Sequence, residues 1–575
     1  MVKRVLNFFN KEFHGVDEAA LLLGGFAFLS QILGLLRDRL LVHLVGAGPV
    51  LDVYYAAFRI PDFLYVSVAS LASVTVLMPF IVNKINNHST SENTENNEKN
   101  KNSDKLEAQK FLNNIFSSFM IFMVFVCLLI YFLMPYLAHY IAPGFSEKQI
   151  YDLVKISRLM LLSPIFIGLS NLIGTITQLF KNFFVFSLSP VFYNIGIIFG
   201  IFFLYPQWGV RGLALGVVLG AILHFAIQIP TVVYRGFFPK FVAKINWREI
   251  FQVIKISLPR TLTLSVGSLA FMVLVAIASE LKTGSISLFT FSYNLQSVPV
   301  GIIGISYSVA AFPILVKSFS LNDLSNFTKQ IISTIKQIIF WSLPVIVLMI
   351  VLRAQIVRVV LGAKAFTWAD TRLTSAAVAL FVISLVSQSL VLLLVRGYYA
   401  AGQTKKPLFI NIFSSIMIIV LAFVITNLFK IFPSLLNILE ILLRVNEVPG
   451  TLMLSLPIAF TLGSILNFIL IWNLFRKDFL VGVSSGIGKT FYQIIIGALV
   501  MGVVTYFTLN LFDDLLVLNT FIGIFLQGLI SGIIGIIFGI FSLSLFKNKE
   551  LADLSRALHR KFWKRRILSP EQPGL

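Results

Sequence analysis

Apolar runs of twenty or more residues, repeated from one end of the chain to the other, decide what it can fold into. They lie near 19–40, 50–82, 111–142, 153–179, 184–204, 211–234, 251–280, 286–316, 329–352, 374–401, 407–430, 453–474, 487–512 and 516–546. A helix of about 20 apolar residues crosses the hydrocarbon core of a bilayer. None of the runs alternates apolar and polar residues as a barrel strand does, and only helices and closed barrels satisfy their own backbone in lipid. The expected fold is an all-α integral membrane protein of about 14 transmembrane helices. Composition points the same way: 57% of residues are hydrophobic and 12% charged. Soluble domains are about half apolar and a quarter charged. The balance excludes an ordinary soluble enzyme and equally a disordered chain.

Lys and Arg number 46 against 25 Asp and Glu, a net charge of +21. In a soluble chain this excess suggests nucleic acid. Here the positive-inside rule and attraction to anionic lipid account for it, and no nucleic-acid partner is expected. An even number of spans leaves both termini on one side. Placing them in the cytoplasm gives that side roughly twice the Lys and Arg of the other, so both termini are expected to be cytoplasmic.

Three segments outside the spans differ in kind. Residues 1–18 set Lys3, Arg4 and Lys11 among Val5, Leu6, Phe8, Phe9 and Phe13, an amphipathic lead-in for a membrane surface. The run that follows has no small-residue cleavage site and is read as a retained span. Residues 83–108, rich in Asn, Ser, Glu and Lys and free of aromatic residues, are expected to form a disordered cytoplasmic loop. Residues 547–575 carry Arg560, Lys561, Lys564, Arg565 and Arg566, with Leu551, Leu554, Leu558 and Phe562 at helical spacing. A basic cytoplasmic tail helix resting on anionic membrane lipids is expected there. The single cysteine, Cys127, lies inside an apolar run and excludes an intramolecular disulfide or a cysteine metal site.

A faint internal repeat divides the spans. Met78-Pro79-Phe80 closes the second run and Phe312-Pro313-Ile314 the eighth; the Lys181-Asn182 hairpin has a counterpart at Lys405-Lys406. A six-helix offset preserves orientation, so the repeat axis lies along the membrane normal. The expected domains are two pseudo-symmetric six-helix lobes, 19–234 and 251–474, plus two extra C-terminal helices within 487–546. Two such lobes form a transporter with its cavity at their interface.

A charge at the middle of a bilayer costs ~2.5–3.5 kcal/mol or more, so charges inside the runs are informative. Among them are Arg37, Asp38 and Arg39 in the first, Asp52, Arg59 and Asp62 in the second, Lys255 and Arg260 in the seventh, and Arg396 in the tenth. Snorkelling or a structural ion pair is the bland explanation for each. Arg59 and Arg260 each stand beside a proline within a span, which favours a cavity. Arginine suits a diphosphate because its planar fork grips two oxygens and stays charged. The six histidines show no metal spacing, Gly488-Lys489-Thr490 lacks the earlier glycine of a phosphate-binding loop, and acidic residues deep in spans are scarce. The chain is therefore read as a transporter, not an enzyme. It needs no cofactor, and any coupling ion is left open.

Several motifs carry a family resemblance. Gly34-Leu35-Leu36-Arg37-Asp38-Arg39, Gly46-Ala47-Gly48, Asp52 with Ala57-Phe58-Arg59-Ile60-Pro61, and Ala142-Pro143-Gly144-Phe145 stand in order. Ser189-Pro190-Val191-Phe192-Tyr193-Asn194, Gly212 through Gly220, and Arg396-Gly397-Tyr398-Tyr399-Ala400 with Thr404-Lys405-Lys406-Pro407 follow. Together they resemble the MurJ (MviN) family of lipid II flippases, in the multidrug/oligosaccharidyl-lipid/polysaccharide exporter superfamily. The resemblance implies fourteen helices, a cationic cavity between two lobes, and a groove in 487–546 for a polyprenyl tail. It implies that undecaprenyl-diphosphate-linked peptidoglycan precursor moves from the inner to the outer leaflet of a bacterial cytoplasmic membrane. Arg37 matches one of the family's cavity arginines; three others fall at Gln31, Tyr65 and Asn294.

The expected cycle is alternating access. Arg37, Arg39, Arg59, Arg260 and Arg396 would hold the diphosphate, with Arg59 and Arg260 supplying the displaced charge. Asp38 and Asp52 would serve as ion-pair or gate residues. Pro61, Pro79, Pro299 and Pro313 are the hinge candidates. Lipid II or a related polyprenyl-diphosphate glycolipid is the expected partner, and a monomer the expected state. The alternatives are an exporter of another polyprenyl-linked polysaccharide unit, a cation-coupled multidrug exporter, and a membrane glycosyltransferase.

Overall fold

The apolar runs are helical. The computed structural model describes residues 16–68, 77, 81, 97–180, 182–363, 365–480, 486–517 and 520–563. Within these, the side chains of 16–21, 23, 97–104, 256, 259, 260 and 557–563 lie outside the described residues. Eleven helices are long and apolar enough to cross a membrane. A twelfth span is the pair Trp368–Val382 and Leu385–Ala400, bent by 43° at their junction. These twelve coincide with twelve of the expected spans. The other two correspond to the helix Val16–Leu44 and to two short helices, Pro49–Ala57 and Arg59–Ser67.

In chain order the helices used below are α1 (Val16–Leu44), α2 (Pro49–Ala57), α3 (Arg59–Ser67), α4 (Asn97–Ile141), α5 (Glu147–Met160), α6 (Leu162–Leu179), α7 (Phe183–Phe199), α8 (Val210–Ala226), α9 (Trp247–Ser279) and α10 (Ser285–Pro299). They continue as α11 (Ser306–Ser320), α12 (Leu324–Val351), α13 (Leu385–Ala400), α14 (Lys405–Ile431), α15 (Ser455–Phe479), α16 (Ile487–Asp513), α17 (Phe521–Leu545) and α18 (Lys549–Trp563).

The chain divides by internal packing into two units. The first comprises residues 1–294, 360–374 and 404–463. In it α7 packs on α1 and α8, α2 on α5, and α9 on α3, α4 and α14. The second comprises residues 295–359, 375–403 and 464–575. There α16 packs on α12 and α17, and α11 and α12 pack on α13.

Local chemistry sets the breaks that matter. Pro61 has no N–H to give the Ala57 carbonyl, and the second span breaks at Phe58 between α2 and α3. Pro299 ends α10, and a π-helical turn, Val300–Ile305, leads into α11. Pro313 is absorbed inside α11, and Pro79 lies outside the described residues. Ser146 caps α5 in a reciprocal pair with Gln149.

One expectation about the extramembrane segments changes. Residues 97–108, expected to be disordered, are the first three turns of α4; a run of polar residues continues the helix because it enters an apolar one without a breaker. Residues 83–96, the remainder of that loop, lie outside the described residues, as do 1–15 of the lead-in. The tail forms α18 and is seated on α16. Asn548 donates to Gln493 at 3.2 Å and Thr490 donates to Glu550 at 3.2 Å. Residues 564–575 lie outside the described residues.

Candidate functional site

The site grows from the first three helices. In α1, Arg37 donates through Nε and Nη2 to Asp38 Oδ1 at 3.0 and 2.9 Å. Asp38 is 2% exposed, and Asn294 of α10 donates to its second oxygen at 2.9 Å. The ion pair is therefore held across α1 and α10 with both carboxylate oxygens in use. Asn194 of α7 donates to the Ser30 carbonyl at 3.3 Å and to its hydroxyl at 3.1 Å, which joins α7 to α1.

Arg59 opens α3 immediately after the break. Its Nε donates to the Tyr55 carbonyl at 3.0 Å. Its guanidinium lies 4.8 Å from the centroid of the Phe271 ring on α9. Among the described residues, that single hydrogen bond leaves the two terminal nitrogens of Arg59 uncommitted, and Arg37 likewise keeps Nη1.

These groups meet at a cavity of about 220 Å³. Arg37, Tyr54, Tyr55, Arg59, Asp62, Tyr193, Thr290 and Asn294 line it. This is room for a small group or several waters. It suits a small anionic group rather than a glycan of several rings. The Tyr55 hydroxyl and the Thr290 hydroxyl are buried in this wall without a hydrogen-bond partner among the described residues. Buried polar atoms without partners are uncommon and mark places where water or ligand binds. Arg37 is offset by its ion-pair partner Asp38, and Asp62 stands in the wall with Arg59.

The other expected residues fall elsewhere. Asp52 is 3% exposed and accepts from the Gly284 N–H at 2.6 Å, the Ser287 N–H at 2.8 Å and the Ser287 hydroxyl at 2.6 Å. It caps the start of α10, where a carboxylate offsets free N–H groups and the helix dipole. It is an anchor inside the first unit and, among the described residues, pairs with no arginine. Arg39 is half-buried on α1 and is not part of the cavity wall. The Arg260 side chain lies outside the described residues. Arg396 is half-buried on α13, in the second unit.

Residue patterns missed much of the wall. Tyr54, Tyr55 and Tyr193 carried no charge to flag them, and Thr290 lies in a helix without other signals. Asp62 was visible as a charge inside the second run, and it stands three residues after Arg59, one turn along the same helical face. Of the positions where the family's arginines are absent, Asn294 bonds Asp38, and Tyr65 accepts from Asn171 at 3.5 Å. The Gln31 side-chain oxygen is buried without a partner.

Comparison with known proteins agrees with this architecture. The sequence model of the family described as "Lipid II flippase MurJ" matches residues 41–527. A probable lipid II flippase MurJ of Buchnera aphidicola subsp. Baizongia pistaciae is 25% identical over 492 residues, covering 84% of this chain and 88% of that protein. The probable lipid II flippase MurJ of Haemophilus influenzae is 27% identical over 410 residues, covering 68% of this chain and 76% of its own length. Among solved structures, a lipid II flippase MurJ in an inward closed conformation superposes with a TM-score of 0.70 at 24% identity, over 92% of this chain and 98% of that one. An inward-facing multidrug transporter of the MATE family gives a TM-score of 0.60 at 14% identity, over 82% of this chain and 99% of that one. These likenesses fix the fold, and the match over 41–527 fixes the family. The chain is a multi-pass membrane protein that belongs to the MurJ lipid II flippase family.

Proposed function

We propose that the chain moves lipid II, the undecaprenyl-diphosphate-linked peptidoglycan precursor, from the inner to the outer leaflet of the bacterial cytoplasmic membrane. The observation that carries this reading within the family is the wall shared by Arg37 and Arg59, where guanidinium nitrogens and two hydroxyls are uncommitted among the described residues. A diphosphate offers oxygens to all of them, and arginine engages such oxygens in pairs. The Arg37–Asp38–Asn294 chain acts as the orienting group or gate: a diphosphate competes with Asp38 for Arg37. The cavity must widen during the cycle to admit the sugar, which is what rocking of two lobes, 19–234 and 251–474, supplies. Arg39, Arg260 and Arg396 are kept as further candidates for contacting the diphosphate during the cycle. The helices of 487–546 hold the polyprenyl tail, both termini are cytoplasmic, the tail helix rests on anionic lipid, and the unit is a monomer.

A related polyprenyl-diphosphate glycan is the second reading, favoured by Gln31, Tyr65 and Asn294 standing where the family's arginines are expected. Proteoliposomes with lipid II or with another polyprenyl-linked glycan in one leaflet separate the two. Transfer of lipid II is expected; transfer of the other glycan alone would replace the first reading by the second.

A further inference from the structure

One face of α4 changes chemistry along its length. Glu107, Lys110, Asn114, Ser118, Phe122 and Phe125 follow each other at steps of three or four residues and so form a single stripe. At its start lies a polar cavity of about 430 Å³, lined by Glu107, Lys110, Asn113, Lys244 and Glu249 among others. Next to it lies an apolar groove of about 440 Å³, walled by Val68, Ile115, Phe119, Phe122, Trp247 and Phe251 among others. The neighbours Asn114 and Ile115, and likewise Asn246 and Trp247, belong one to each, so the two spaces share a wall on α4 and α9.

The polar end is a built compartment. The segment 238–246 leading into α9 is laced to α4 by side chains. Gln109 donates to the Phe238 carbonyl at 2.9 Å, Asn113 accepts from the Lys240 N–H at 2.7 Å, and Ser117 accepts from the Val242 N–H at 2.8 Å. Asn114, 5% exposed, accepts from the Asn246 N–H at 2.9 Å and donates to the Asn246 carbonyl at 3.1 Å. This lacing brings the segment's Lys244 and the helix's Lys110 to one cavity.

The occupant follows from charge and depth. A purely anionic ligand would meet Glu107 and Glu249; a purely cationic one would meet Lys110 and Lys244. A headgroup that carries both a phosphate and an ammonium meets neither penalty. The apolar part of the stripe, 115–125, extends about 15 Å at 1.5 Å per residue, the depth of one leaflet, half of the ~30 Å hydrocarbon. We propose that this site binds one aminophospholipid. Its phosphate rests on Lys110 and Lys244, its ammonium on Glu107 beside Glu249, which also accepts from Asn114 at 3.3 Å, and one acyl chain lies in the groove beside Phe122 and Trp247. None of these residues lines the arginine cavity, and the proposal is independent of what the protein transports.

The test is native mass spectrometry of the full chain in mild detergent, with phosphatidylethanolamine and phosphatidylglycerol of identical acyl chains in equal amount. One phosphatidylethanolamine per chain is expected, retained about tenfold over phosphatidylglycerol. The double variant Lys110→Ala/Lys244→Ala should lower that occupancy about tenfold. Ser118→Trp, which fills the groove without touching the charges, should do the same. Equal or preferred retention of phosphatidylglycerol would overturn the proposal, as would no retained phospholipid. Unchanged binding of phosphatidylethanolamine in both variants would overturn it too.

Discussion

Asp52 shows what a single residue reveals and conceals. A carboxylate in an apolar run is visible in the sequence because it is costly there. Its job was not visible, because its three donors stand on Gly284 and Ser287, 232 and 235 positions away. Asp52→Ala leaves those donors buried and unpaired, and unmade buried bonds cost about 1–3 kcal/mol apiece. The variant should lose roughly 3 kcal/mol of stability, read as a lower thermal midpoint in detergent, whereas Asp52→Asn, which keeps one acceptor, should lose about half of that. Equal stability of Asp52→Ala and the parent would contradict the anchoring role. Arg37 and Arg59 were legible for the same reason as Asp52, and they do meet in one wall. The tyrosines and Thr290 beside them were not, since uncharged residues in a span leave no mark until helices are placed.

At the scale of helices, most starts and stops were readable and most contacts were not. The break at Phe58 is written in Pro61, and the bend between Trp368–Val382 and α13 lies inside what reads as one continuous run. Gly212, Gly216 and Gly220 repeat every fourth residue, a spacing that lets helix backbones approach. Their partner, however, is fixed only by the fold. A Cβ on Gly200 or Gly216 would strike the other's backbone, and one on Gly196 would strike Gly220, so α7 and α8 touch through bare glycine. Gly216→Leu should therefore force the two helices apart at a cost of about 3 kcal/mol or more. Since α7 also carries Tyr193 and Asn194, the variant should lose both thermal stability and transport. A Gly216→Leu protein as stable as the parent would show that the helices do not meet there.

The whole molecule was the most legible level. Twelve of the fourteen spans read from hydropathy coincide with helices or a bent pair, because a bilayer imposes length and apolarity on each span separately. Sidedness is a separate matter and is tested by labelling. In a Cys127→Ser background, Ser89→Cys and Ser569→Cys should react with an impermeant maleimide only from the cytoplasm, and Lys148→Cys only from outside. The reverse pattern would invert the topology. The central claim is that the guanidinium of Arg59 serves lipid II. Its direct measurement is the rate of lipid II transfer in proteoliposomes for the parent, Arg59→Lys and Arg59→Ala. A charge-assisted hydrogen bond is worth about 1.5–3 kcal/mol, so Arg59→Ala should slow transfer roughly 10- to 100-fold. Arg59→Lys should fall between the two, because lysine keeps the charge but not the fork. Transfer by folded Arg59→Ala at the parent rate would contradict the account.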